Sequence, residues 1–191
     1  IITHYFNIHE DPLIYELQVR KSNGHNGTWE PLETVLGPTS DLGNAEGAID
    51  GDDNITIIFR TYFGGYRLQA IRYAPGNGWS AAQEIYATAD YFQATEIGAD
   101  GHGNLSAVFD QEVAGMEAAW SIVYNSATGT WGTAQQVSSA GYRILMPTVL
   151  YSLESDTMYL VYLVEDGGPV GLYAHRFDTN TLTWGPPEFL P

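Results

Sequence analysis

The amino-acid sequence predicts an all-β chain, and three observations predict it. Apolar residues alternate with polar ones at period two in short stretches rich in β-branched and aromatic side chains, such as "NITIIFRTY" and "TMYLVYLVE". No stretch sustains a 3.6-residue period. Turns rich in Gly, Asn, Asp and Thr separate these stretches. Finally, Trp29, Trp79, Trp131 and Trp184 recur at spacings of 50, 52 and 53 residues. Each Trp follows a turn ("NGHNGTW", "APGNGW", "SATGTW", "DTNTLTW") and opens a related stretch ("WEPLETV", "WSAAQEIY", "WGTAQQV", "WGPPEFL"). Four short strands in a repeat of about fifty residues form the pattern of a β-propeller blade. A β-sandwich of this length is the structural alternative, but its strands would not return with a Trp once per repeat.

Each element takes its place in the repeat. The first strand leads into an Asp/Gly/Asn turn ("EGAIDGDDN", "ATEIGADGHGN", "PTVLYSLESD"). The second strand is "NITIIFRTY", "NLSAVFDQE" or "TMYLVYLVE", and the third is "YRLQAIRYA", "AAWSIVYN" or "GLYAHRFD". The Trp stretch supplies the fourth. With the first strand innermost, residues 1–36 hold strands two, three and four of a blade that lacks its inner strand, and three blades follow at about 37–86, 87–138 and 139–191. The expectation is one propeller domain, or part of one, of about four blades.

Composition bounds the function. Seven Lys plus Arg against twenty-three Asp plus Glu give a formal charge of −16 spread along the chain, which repels a phosphate backbone and argues against nucleic acid as a partner. Cysteine is absent, so disulfides, thiol nucleophiles and thiolate metal sites are excluded. No apolar run approaches the roughly twenty residues of a helical membrane span. The chain opens on Ile1 without a charged or apolar leader, which reads as a processed or truncated start.

Units of the form W-x-x-A-Q-x-V, an apolar strand, D-G-x-G-N and an alternating strand resemble the blades of secreted bacterial β-propellers, including sialidase-like and lectin-like repeat proteins. The resemblance covers almost the whole chain, and it implies a secreted or cell-surface location. It departs from the sialidases at two points. Their Asp-box, S/T-x-D-x-G-x-x-W/F, does not fit "IDGDDNITIIF" or "GADGHGNLSAVF", and their arginine triad has no evident counterpart among Arg20, Arg60, Arg67, Arg72, Arg143 and Arg176.

In a propeller, the loops from strand four to the next strand one and from strand two to strand three open on one face, where ligands bind. Those loops gather His9, Glu10, Asp11, Tyr62, Phe63, Tyr91, Phe92, Asp110, Glu112, Tyr142, Arg143, Glu165 and Asp166. The set taken as candidate ligand-binding residues is Tyr62, Tyr91, Asp110, Glu112, Tyr142, Arg143 and Glu165. Flat rings suit the C–H faces of sugars and carboxylates accept from hydroxyls; the plainer reading is solvated loop tips. No catalytic residue is assigned. A glycosidase needs two carboxylates about 5–9 Å apart, and Asp110 with Glu165 or Glu112 with Asp166 would be the pairs.

"DGDDN" offers Asp50, Asp52 and Asp53 as a weak Ca²⁺ candidate, although a hairpin turn explains the stretch better. No other cofactor is expected. His4, His9, His25, His102 and His175 lack the spacing of a catalytic zinc site. The four repeated Trp residues, with Tyr15, Trp120, Tyr173, Tyr73, Tyr124 and Phe177, read as packing between blades. Asn26, Asn54 and Asn104 match the N-glycosylation pattern incidentally. The expected function is non-catalytic extracellular recognition of carbohydrate on the loop-rich face. The alternatives are the C-terminal part of a larger glycoside hydrolase propeller, and a protein-interaction or assembly scaffold, including a homo-oligomer that completes the ring.

Overall fold

The computed structural model describes residues 3–10, 13–22 and 27–190. His25 and Asn26 lie outside the described residues, as do Asp11 and the side chains of His4, His9 and Glu10. Strands form four antiparallel sheets, and no helix occurs among the described residues. Sheet one holds β1 (Thr3–Glu10), β2 (Leu13–Arg20) and β3 (Glu33–Thr39). Sheet two holds β4 (Gly43–Ile49), β5 (Ile55–Tyr62), β6 (Tyr66–Ala74), β7 (Gly78–Trp79) and β8 (Gln83–Thr88). Sheet three holds β9 (Phe92–Ala99), β10 (Leu105–Val113), β11 (Met116–Asn125), β12 (Thr130–Trp131) and β13 (Gln135–Gln136). Sheet four holds β14 (Arg143–Ser152), β15 (Thr157–Asp166), β16 (Gly171–Asp178), β17 (Thr183–Trp184) and β18 (Glu188–Leu190).

The strand that the sequence predicts as one Trp-bearing fourth strand is two pieces. Trp79 pairs with Tyr73, Trp131 with Tyr124 and Trp184 with Phe177, and only after a break does the chain rejoin the same third strand. At the break of sheet two, the Ser80 N–H donates to the Arg72 carbonyl and the Ser80 hydroxyl accepts from the Arg72 N–H, which closes the bulge without an unpaired group.

β4 packs beside β9, and β9 beside β14, so the first strands of successive sheets stand next to one another. A Cβ on Gly98 would overlap Val149, so glycine lets β9 and β14 approach. β5 and β10, central in sheets two and three, bury both faces. Leu17 and Val19 of sheet one pack on Ile55, Ile57, Phe59 and Ile71 of sheet two. On the other side of sheet two, Ile58, Leu68 and Ala70 pack on Leu105, Ala107, Phe109 and Ile122 of sheet three. Val108 and Ala119 then pack on Leu160, Tyr162, Val164 and Tyr173 of sheet four. Period-two alternation therefore divides the apolar residues between two neighbouring sheets, with each fully buried Leu or Ile contributing about 1.5–3 kcal/mol.

The turns after the first strands are alike in detail. Asp50 Oδ1 accepts from the N–H groups of Asp52 and Asn54, both at 3.0 Å, and Asp100 Oδ1 from those of His102 and Asn104 at 2.9 and 2.8 Å. A left-handed residue stands one or two positions before each following strand, with φ of 59° at Asp53, 80° at Gly103 and 46° at Asp156. Asn104 is buried, and its Oδ1 accepts from the Ser126 N–H and hydroxyl; a glycan on Asn104 would require opening this network.

Candidate functional site

The ends of β5, β10 and β15 and the connections entering β9 and β14 bring the sequence-predicted residues to one end of the sheets. Tyr62 and Tyr91 are joined by Tyr66, which the sequence reading does not single out. The Tyr62 and Tyr66 rings meet edge-on at 5.0 Å, and those of Tyr66 and Tyr91 at 5.2 Å. The two outer rings are half open to solvent, Tyr62 at 51 % and Tyr91 at 48 %, and Phe63 beside them is 80 % exposed.

Arg60 supports this ladder from below. Its guanidinium carbon lies 5.0 Å from the Tyr91 ring centre and 5.8 Å from that of Tyr66, and Nη1 donates to the Phe92 carbonyl at 2.7 Å. Gly43 is paired with Arg60, and a Cβ there would stand 3.0 Å from Nη2, so the glycine makes room for the guanidinium. The Tyr91 hydroxyl donates to Gln93 Oε1 at 3.1 Å. The ladder is therefore held by a stacked cation and a hydrogen bond, with one ring edge or face left free at each end.

Two grooves flank the rings. One of about 340 Å³ runs along Asp90, Tyr91, Gln111, Glu112 and Gly115, and another of about 510 Å³ along Thr61, Tyr62, Phe63, Gln69 and Glu84. Glu112 is exposed in the first. Glu84 is ion-paired with Arg67 beside the second. Behind the first groove, the Tyr86 hydroxyl donates to Gln111 Oε1 at 2.6 Å, and burial holds the Tyr86 phenol above its ordinary value.

The remaining predicted residues do different work. Asp110 is 4 % exposed, and its Oδ1 accepts from the Gln93 N–H at 3.0 Å. Burial pushes its carboxyl above the usual aspartate range; the Gln93 N–H and Arg60 oppose the shift, and the charge of Glu117 adds to it. Arg143 is shared between two carboxylates, with Nε donating to Glu117 Oε2 at 2.9 Å and Nη1 lying 3.0 Å from Glu165 Oε2. The hydrogen bond from Arg143 holds the Glu117 carboxyl below the ordinary value, and Glu117 raises Arg143. Tyr142 packs over Gly168, where any Cβ would meet its ring, and so pins the β15–β16 hairpin. The structure thus brings Tyr62 and Tyr91 together. It joins Glu165 to Arg143, leaves Glu112 on the groove wall, and places Asp110 and Tyr142 in packing roles.

Sequence reasoning misses four residues here: Arg60, Tyr66, Glu117 and Glu96. Glu96 lies on β9, where burial and the neighbouring charge of Glu46 on β4 raise its carboxyl. The legible signal for Arg60 was the glycine opposite it, which only the pairing register reveals. At the Ca²⁺ candidate, Asp50 spends its oxygens on the turn, on Asn54 Nδ2 and on Arg72 Nη2 at 2.6 Å, while Asp52 and Asp53 are exposed. Among the described residues no three His, Cys, Asp or Glu side chains gather as a metal site.

No family model matches the chain, and no curated protein does. Solved structures do match it in fold. The intramolecular trans-sialidase from Ruminococcus gnavus aligns with a TM-score of 0.54 and 14 % identity, covering 91 % of this chain and 42 % of the enzyme. The NanB sialidase from Streptococcus pneumoniae aligns with a TM-score of 0.56 and 15 % identity, covering 94 % of this chain and 32 % of the sialidase. MPT-4, a mannose phosphorylase from Leishmania mexicana, aligns with a TM-score of 0.52 and 12 % identity, covering 98 % and 63 %. The chain thus spans 32–63 % of these proteins, and the likeness shows a propeller-type all-β fold.

Proposed function

We propose that the chain is a non-catalytic carbohydrate-recognition module, secreted or cell-surface, whose four sheets are propeller blades, the first without its inner strand. One observation carries the reading: the Tyr62–Tyr66–Tyr91 ladder, braced by Arg60, presents exposed rings beside two polar-walled grooves. Rings stack on the apolar faces of pyranoses, and the exposed Glu112 and Asp90 carboxylates accept from hydroxyls. The glycan-related activities of the proteins with a similar fold agree with this ligand class. The absence of catalysis is supported by three of the carboxylates at this end, while Glu112 stays open on the groove wall. Glu117 and Glu165 are neutralised by Arg143, and Asp110 is sealed behind Gln93. Binding requires no metal and involves neither nucleic acid nor insertion into a membrane.

A second reading, that the chain is part of a larger glycoside-acting propeller, is favoured by the short share of the similar enzymes that it spans. A glycan array probed with the intact chain, with and without EDTA, separates the readings. Recognition predicts saturable binding that EDTA leaves unchanged and that Tyr62→Ala/Tyr91→Ala abolishes. Binding that survives the double substitution places the ligand elsewhere.

A further inference from the structure

We infer that the ligand of the tyrosine ladder is an amino-sugar chain whose nitrogens are unacetylated and protonated, with Glu112 and Asp90 holding an ammonium group beside the Tyr91 ring. The inference rests on the carbohydrate reading of that site and names the chemistry the site selects.

The repeat supplies the first argument. Glu112 and Glu165 end the aligned second strands "NLSAVFDQE" and "TMYLVYLVE". In sheet three the last pair before Glu112 is Gln111 with Phe92, and in sheet four the corresponding pair is Val164 with Ile144. One step further along the first strand stands Tyr91 in sheet three and Arg143 in sheet four. Arg143 Nη1 lies 3.0 Å from Glu165 Oε2, so sheet four completes its glutamate with a cation of its own. Sheet three places an aromatic ring, 48 % exposed, where that cation would stand. Glu112 and Asp90 are exposed on the groove of about 340 Å³ that Tyr91 also lines. Neither has an ion-pair partner among the described residues.

Every cation that reaches this end is committed elsewhere. Arg60 donates to the Phe92 carbonyl beneath the rings, Arg67 pairs with Glu84, and Arg143 is shared between Glu117 and Glu165. The other four Lys and Arg residues of the chain lie toward the opposite ends of the third strands. A sugar carboxylate or sulfate therefore meets no free guanidinium, and it approaches a chain of formal charge −16. A neutral sugar covers the two carboxylates, strips their water and returns no counter-charge. An ammonium brings the missing charge and three donors for charge-assisted hydrogen bonds, while the pyranose that carries it lays its C–H face on Tyr91.

Isothermal titration of the full chain in EDTA tests this with three probes: a glucosamine oligosaccharide, its fully N-acetylated form and a uronic-acid oligosaccharide. The amino form is expected to bind about tenfold or more tighter than the acetylated form and to weaken as salt rises, and the uronate is expected not to bind. Asp90→Asn/Glu112→Gln is expected to erase the preference for the amino form. Glu154→Gln, at an exposed glutamate in the turn at the opposite end of sheet four, leaves it unchanged. An acetylated or uronate chain that binds as tightly as the amino form, and is lost in Tyr62→Ala/Tyr91→Ala, overturns the inference and leaves the carbohydrate reading standing. Equal losses in Glu112→Gln and Glu154→Gln also overturn it, since the attraction is then to the acidic chain as a whole. Binding of none of the three probes overturns it as well, and the glycan array then decides the carbohydrate reading by itself.

Discussion

Leu68 and Leu172 are one residue type at one position of the repeat, and they differ in burial: sheet three covers Leu68, whereas no described sheet covers Leu172. Truncating each to Ala therefore measures what a neighbouring sheet contributes. Leu68 is fully buried against Leu105, Ala107 and Phe109, so Leu68→Ala loses transfer free energy and leaves a cavity, at a cost of about 2–5 kcal/mol. For a chain of this size each kcal/mol lowers Tm by about 2–4 °C, which gives a drop of about 4–20 °C. Leu172→Ala removes a half-exposed side chain and costs about 1 kcal/mol or less. The assay is urea denaturation followed by tryptophan fluorescence, at a protein concentration low enough to keep the chain monomeric. Losses within about 1 kcal/mol of each other would refute the reasoning that burial between sheets is what stabilises each repeat.

Three further outcomes follow from named contacts. Asp100→Ala strands the N–H groups of His102 and Asn104, and Asn104 Nδ2, and is expected to cost about 2–4 kcal/mol in chemical denaturation. His175 is buried, with Nδ1 donating to the Gly185 carbonyl and Nε2 accepting from the Tyr162 hydroxyl, so the neutral ring is the form that fits. Burial lowers its pKa from 6.5, so the unfolded chain binds the proton first as pH falls. Stability is then lost below pH 6.5 by up to about 1.4 kcal/mol per pH unit, and His175→Gln flattens that slope in thermal scans. Asp110 runs the other way, because its raised pKa means the folded chain keeps the proton longer, and stability falls as pH rises from 3.8 through the folded value. Asp110→Asn retains an acceptor for the Gln93 N–H, so Tm should rise at neutral pH and stay level below pH 3.8.

Much of this architecture was legible in the sequence because it is periodic. The Trp spacing and the period-two strands locate four sheets, and Tyr73, Tyr124 and Phe177 do pack against the Trp of their own repeats at 5.0–5.3 Å. Trp79 reaches across to Glu33 of sheet one, and Trp184 to Ser121 of sheet three, as a role between sheets requires. The split of the fourth strand is marked by glycine in "WGTAQQV" and by glycine and proline in "WGPPEFL", whereas "SAA" after Trp79 has no breaker and its break is set by the Ser80–Arg72 hydrogen bonds. The site was legible as a loop face and illegible as a geometry. Asp110 and Glu112 are two residues apart on one strand, yet the first is sealed under β9 and the second open on a groove wall. Arg143 meets Glu117 and Glu165 only because strand ends from two sheets converge, which spacing along the chain does not encode.

The central claim is that the tyrosine ladder binds a glycan and leaves it intact. The measurement that tests it most directly is isothermal titration of the full chain with an oligosaccharide identified on the array, with the ligand's mass followed by mass spectrometry in the same solution. The account predicts saturable binding, loss of that binding in Tyr62→Ala/Tyr91→Ala with the fold retained, and an unchanged ligand mass. Cleaved or transferred products, or binding that the double substitution leaves intact, would contradict it.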